Sequence, residues 1–277
     1  MALKRVNFAT AHNASEFTSA RWNFQPVPDG FGNSPIQLVE IAPGNPRFAY
    51  NPTTGEAEGL LIEEQRTNLV PFSIDSTNRK NDQVTNGAFN ELGLSGQASV
   101  FTPNPTGLQS SRWDSAAFTQ GVTYSATVWV KMHSNEEPAF TSRQPTSSQN
   151  YFTFIFARGG ASYNSIPEVK LLDAANKIYE ITFVKTADQT VTEAAGPYRY
   201  IDNDKIDETF EVLFIQVEEG SHPSSPIITN GTAVTRTADI VARTLGAEFN
   251  PNEGTLIFEV SDVRPIAEVS RLLFISE

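Results

Sequence analysis

"VTYSATVWVK", Val122–Lys131, is the stretch that decides the fold class. Val122, Tyr124, Ala126, Val128 and Val130 fall on one side of an extended chain, and Thr123, Ser125, Thr127, Trp129 and Lys131 fall on the other. Successive side chains of a strand point to opposite faces, so this period-two alternation predicts a half-buried strand. Its second face is polar except for one tryptophan. "IYEITFVK", Ile178–Lys185, repeats the pattern with Tyr179, Ile181 and Phe183 together. "YFTFIFAR", Tyr151–Arg158, puts Phe152, Phe154 and Phe156 on one face and Tyr151, Ile155 and Ala157 on the other. "TFEVLFIQVEEG", Thr209–Gly220, is apolar on both faces through Leu213, Phe214 and Ile215, the mark of a central or doubly covered strand. Turn-rich stretches such as "FTPNPTG", "SNEEP" and "SRQPTSSQN" separate these runs, and helical periodicity is hard to find. The expectation is an all-β, antiparallel β-sandwich.

Bulk properties narrow the function classes. The 277 residues suffice for one large or two modest domains, and the 39% hydrophobic content supports a packed core. The formal net charge is -12, which phosphate backbones repel, so no nucleic-acid partner is expected. With no cysteine, disulfides, thiolate nucleophiles and cysteine zinc sites are excluded. "MALKRVNFATAHNASEF" at the N-terminus lacks the apolar core of a signal peptide. No window approaches the roughly 18 apolar residues of a membrane span, so a soluble protein without membrane insertion is expected. The organisation reads as an irregular N-terminal arm with a signature segment (1–65), a sandwich (66–240) and a short C-terminal β segment (241–277).

Two blocks carry a resemblance. "NPRFAYNPTTGEAEGLLIEEQRTNLV", Asn45–Val70, is similar to a "PRFDYDP-TGE--GLLIEEQRTNL" segment of bacteriophage tail, tail-fibre and other virion proteins. Pro46, Arg47, Phe48, Tyr50, Pro52, Gly55, Glu56, Gly59, Glu63, Glu64, Arg66, Thr67 and Asn68 all match it. "VEEGSHPSSPIITNGTAVTRTADIV", Val217–Val241, resembles that family's "LEEGSFPTSYIPT-GSAVTRAADV", and the Val122–Lys131 strand resembles its "YTFSVYVK". Ala49 and Asn51 depart from the pattern, standing where the family carries acidic residues. "NEGTLIFEV", Asn252–Val260, matches the opening of a laminin-G or concanavalin-like domain, though the chain ends at Glu277, too soon to complete a second sandwich. The resemblance implies a jelly roll with the outline of a carbohydrate-binding module. It further implies a structural role in a virion assembled in the host cytoplasm, alongside other virion proteins, and a homo-oligomer, of which a trimer is the usual fibre form. The alternative it leaves open is a receptor-recognition module for host-surface glycan.

The candidate chemistry is sparse. Glu63 and Glu64 are adjacent and so face opposite ways on an extended chain, whereas glycosidase carboxylates stand roughly 5–10 Å apart across a shared cleft. The pair reads better as an ion-paired corner, one glutamate with Arg47 or Arg66 and the other in solvent. Arg236 would serve likewise near the sandwich's end, since a guanidinium makes several fixed hydrogen bonds. His12, His133 and His222 show no metal-ligand spacing, and no nucleophile elbow or phosphate loop occurs, so no enzyme is expected. Asp202, Asp204 and Asp207 in "YIDNDKIDE" offer alternating oxygens of the kind calcium accepts, but lack the glycine of an EF-hand loop, and acidic turns are ordinarily solvated. Trp129 is the remaining signal. On a polar face it would stack on a sugar, anchor a subunit interface, or lie beneath a loop or the N-terminal arm. In "VSRLLFISE", Leu273 and Ile275 share one face and Leu272 and Phe274 the other, so this terminal segment needs a cover and is the expected assembly interface.

Overall fold

The computed structural model describes residues 21–28, 35–42, 45, 47–50, 54–103, 109–134, 151–156, 167–200 and 208–239. In chain order, β1 (Arg21–Pro26) pairs with β2 (Ile36–Ile41), and β3 (Phe48–Tyr50) with β4 (Ala57–Leu60). The arm expected to be irregular therefore holds two antiparallel pairs. After β5 (Arg66–Asn68) come ten strands: β6 (Lys80–Asp82), β7 (Thr85–Glu91), β8 (Leu94–Phe101), β9 (Gln109–Phe118), β10 (Thr123–Met132), β11 (Tyr151–Ile155), β12 (Glu168–Asp173), β13 (Ile178–Thr186), β14 (Val191–Tyr200) and β15 (Phe210–Glu219). They form an antiparallel sandwich of a six-stranded sheet, β12-β13-β10-β15-β8-β7, on a four-stranded one, β11-β14-β9-β6. Finally β16 (Val234–Arg236) returns to pair with β5.

The period-two faces do what their composition dictates. Tyr124, Ala126, Val128 and Val130 of β10 are buried between the sheets with Ile181 and Phe183 of β13 and Phe154 of β11. On β15 the alternation is broken by a bulge, where Trp129 and Val130 face Phe214 and Val212 and leave Leu213 as the extra residue. That one insertion keeps Phe210 and Val212 on the same inner face as Ile215 and Val217, while Leu213 and Phe214 turn outward. A strand apolar on both faces needs cover on both, and β15 has it.

The outer cover comes from the arm. Leu38, Trp22 and Phe24 of β1 and β2 pack on Trp129, Leu213, Phe214, Phe89 and Leu94, a second apolar layer outside the six-stranded sheet. The β7–β8 hairpin turns through Leu92 and Gly93, both at positive φ (54° and 79°), as a two-residue hairpin turn demands. Leu38 donates its amide to the Leu92 carbonyl at 2.7 Å, fastening the arm to that turn. A Cβ on Gly93 would stand 2.5 Å from the Leu38 carbonyl oxygen, so the turn and the arm fit only with glycine there.

Trp129 accordingly does not sit on an open polar face. It is 1% exposed, with its ring centroid 5.3 Å from that of Phe24 and 4.5 Å from that of Phe214. Its indole N–H donates to Glu180 Oε2 at 3.1 Å. Ser125 and Thr127, its neighbours on the same face, are buried too. Alternation shows that a strand has two different faces; it does not show which of them meets water.

Candidate functional site

The two sequence blocks meet in space. β5 ends the first and β16 lies in the second; they pair antiparallel, Val234 opposite Asn68 and Arg236 opposite Arg66. Thr67 and Thr235 share a hydroxyl hydrogen bond of 2.8 Å across the pair. Beside this short ribbon lies the densest charge cluster among the described residues, made of Arg47, Glu63, Ser225, Arg236 and Asp239.

Arg47 is 1% exposed. Its Nη1 donates to Ser225 Oγ at 2.6 Å, and its Nη2 to Asp239 Oδ2 at 2.5 Å and to Glu63 Oε2 at 2.8 Å. Glu63 Oε2 also accepts from Arg236 Nη1 at 2.7 Å and from Ser225 Oγ, while Oε1 accepts from the Ser225 amide at 2.7 Å. Asp239 closes the ring: its carboxylate accepts from the Glu63 amide at 2.9 Å, and its own amide donates to the Glu63 carbonyl at 2.8 Å. Arg236 Nη2 reaches the Glu64 carbonyl at 3.1 Å. Burial alone would raise the Glu63 pKa, but Arg236, Arg47 and the Ser225 bonds overcome it and hold the carboxyl below its ordinary range.

A second tier surrounds this ring. Arg66 ion-pairs with the half-exposed Glu64 and donates to the Glu219 carbonyl. Gly220, next in the chain, has φ of +123°, and a Cβ there would overlap the Arg66 guanidinium. Asn68 is fully buried; it donates to the Ile227 carbonyl at 2.8 Å and accepts from the amides of Val70 and Val217 at 3.0 and 3.2 Å. Gln216 Oε1 takes the Ile227 amide at 2.7 Å. Glu218, also fully buried, accepts from the Ser224 amide at 2.9 Å and from the Ser224 hydroxyl at 2.5 Å. Burial pushes its carboxyl above the ordinary range, against the pull of Ser224, Gln216 and Arg236.

This arrangement suits closure and not acid–base catalysis. Glu63 and Asp239 contact one shared guanidinium nitrogen, leaving no gap for a water or a scissile bond between them. Glu63 stays ionised and its oxygens are engaged by two arginines and a serine. The corner residues expected from sequence are thus distributed over two tiers: Arg47, Glu63 and Arg236 in the buried ring, Glu64 and Arg66 in an outer pair. Glu64 is ion-paired instead of simply solvated, because Arg66 is anchored beside it on the Glu219 carbonyl. Sequence reasoning missed Ser225, Asp239, Asn68, Gln216 and Glu218. All but Asn68 lie in or beside the second block, and only the spacing Arg236-x-x-Asp239 hinted at a pair. Another buried cation outside both blocks also went unread. Arg79 donates to the carbonyls of Phe72 and Ser73, and burial brings it down to about 9.

The other candidates fall elsewhere. His133 Nε2 lies 2.7 Å from Glu211 Oε1, and His222 Nδ1 lies 2.9 Å from Ser221 Oγ. Among the described residues no three histidines or acids gather as a metal would require. Asp202, Asp204 and Asp207, His12, and the terminal Leu272, Leu273, Phe274 and Ile275 lie outside the described residues. No family model matches the chain, and no curated protein matches it.

Proposed function

We propose that this chain is a structural component of a bacteriophage virion, a tail, fibre or adaptor, or capsid-exterior protein, that acts by assembling with copies of itself and with other virion proteins. One observation carries the reading: Arg47 and Glu63 of the first phage-like block and Arg236 and Asp239 of the second are consumed by one another inside the protein. Arg47 and Glu63 reach Ser225, Arg236 and Asp239 across 162–192 positions of sequence and lock the start of the sandwich to its end. A motif used this way specifies a scaffold, and it makes no claim on a substrate.

The strand order favours jelly-roll winding. β7, β8, β10, β12, β13 and β15 fall in the larger sheet and β6, β9, β11 and β14 in the smaller one, so the chain crosses from sheet to sheet as it runs, broken by the β7–β8 and β12–β13 hairpins. The glycan-receptor alternative loses its aromatic platform, since Trp129 lies beneath Phe24. Under the favoured reading the protein co-purifies with phage particles and forms a homo-oligomer, with a trimer as the resemblance implies. Light scattering with mass determination on the full chain, and peptide mass spectrometry of purified particles, test it. A strictly monomeric protein absent from particles would overturn it.

A further inference from the structure

The two sheets differ in width, and among the described residues the difference leaves an edge uncovered. Phe154 of β11 meets Phe183 of β13 with ring centroids 6.1 Å apart, and Arg199 of β14 lies over the Phe210 ring of β15 at 5.0 Å. The outermost strand of the smaller sheet therefore faces the second strand of the larger one, and β12 projects beyond it. In the β12–β13 register Val169 stands beside Ile181 and Leu171 beside Tyr179, which puts both on the inner face. With nothing opposite among the described residues, they are 39% and 46% exposed, two of only four large apolar side chains so exposed there. Among those residues β12 pairs with β13 alone, so its other backbone edge is open. The hairpin that presents it is firm: Asp173 Oδ1 accepts from the amides of Ala175 and Asn176 at 2.9 and 3.0 Å.

Open edges of this kind invite another strand. The sequence of β12 identifies which. An antiparallel twofold pairing places residues of equal parity opposite one another on one face. Centred on Glu168 or on Lys170 it would set like charges face to face; centred on Leu171 it would match no charges. Centred on Val169 it sets Val169 against Val169 and pairs Glu168 with Lys170 of the second copy, twice. An edge lysine ordinarily blocks pairing, but here the glutamate two residues earlier makes the strand complementary to itself.

We propose that β12 is a self-association edge: two copies of this chain pair through Glu168, Val169 and Lys170 about a twofold axis at Val169, joining their six-stranded sheets into one. The axis stands perpendicular to the sheet, so the inner faces stay on one side. The Val169 and Leu171 side chains of both copies then form one apolar strip between the two smaller sheets. Main-chain bonds along the edge supply attraction and the charge pairs set register. This rests on the assembly reading above and names a surface for it; combined with a trimer it links trimers in pairs.

The test is sedimentation of the full chain with three charge variants at exposed sites, with circular dichroism as the check on folding. The wild type is expected at a mass that is an even multiple of 30.4 kDa. Lys170→Glu and Glu168→Lys, each placing like charges opposite, should weaken association by about tenfold or more, and by less in high salt. The double variant E168K/K170E restores opposite charges and should restore association. Single variants that associate as the wild type does, or a double variant that fails to recover, overturn the proposal. A trimer indifferent to all three variants overturns it while leaving the assembly reading intact, whereas a monomer at every concentration overturns it and, if purified particles also lack the protein, overturns the assembly reading too.

Discussion

Glu63 carries more of the fold than its neighbour, although the two are indistinguishable as letters. Its carboxylate faces two guanidiniums, those of Arg47 and Arg236, in a site where little water remains. Removing one charge of a buried network strands the others, at about 3–5 kcal/mol. Glu63→Gln keeps the shape and removes that charge, so urea unfolding should show a loss of that size. Glu64→Gln breaks only a half-exposed pair with Arg66 and should cost about 0–1 kcal/mol. Equal losses from the two would refute the distinction drawn between them. Gly220 makes a second test. Its φ of +123° disfavours any side chain, which alone costs about 1–3 kcal/mol, and an added Cβ would strike Arg66 Nη1 at 2.0 Å. Gly220→Ala should therefore destabilise, and Arg66→Ala should recover part of that loss but not the backbone share. A double-mutant cycle with no coupling would show that the two sites do not touch. Sequence made Arg47, Glu63 and Arg236 legible as a corner because their types and their run of neighbours were distinctive. It could not supply Ser225 or Asp239, whose contacts with Arg47 span 178 and 192 positions and depend on the closed sandwich.

At the scale of elements, what could be read was periodicity, and what could not was cover. The strands β10, β13 and β15 were legible because each alternates or is doubly apolar over nine or ten residues. β1 was not, since "RWNFQP" alternates for only six residues and runs into prolines, and one of its polar positions, Asn23, is itself buried on the Phe48 carbonyl at 3.0 Å. Missing that hairpin left Trp129 apparently bare. The hairpin's hold on the sheet centres on Leu38, which is 2% exposed and tied through its amide to Leu92. Truncating such a side chain costs about 2–5 kcal/mol when the site does not collapse. Leu38→Ala should act locally before it acts globally: a protease should cut within 21–41 sooner than in wild type, while amides of β10 and β15 between the sheets keep their protection from hydrogen exchange. Loss of protection throughout the sandwich would show instead that the hairpin and the two sheets unfold as one unit.

For the molecule as a whole, pH connects the buried corner to overall stability, and the two buried glutamates pull in opposite directions. Glu63, held below the ordinary value of 4.5, contributes stability that is present above that value and lost as pH falls through its folded pKa. Glu218 is raised, chiefly by burial, with Arg236 too weak a counter-charge to reverse it. Its contribution is complete below 4.5 and is lost as pH rises through its folded pKa, because the unfolded chain ionises first. Lowering the pH from neutrality should therefore strengthen the protein before Glu63 weakens it. The net charge of -12 gives the same trend through relief of self-repulsion, so a single stability curve cannot separate the two. Glu218→Gln separates them, since the amide imitates the protonated carboxyl while the remaining charges titrate as before. Below about pH 4.5 the variant and the wild type should respond to pH in parallel. From there toward neutrality the variant should gain steadily on the wild type in urea midpoint, by an amount that measures how far burial raises Glu218. If the two midpoints instead keep a constant separation from pH 5 to pH 8, Glu218 ionises in the folded protein as it does in the unfolded chain, and the corner behind Ser224 is wetter than its geometry indicates.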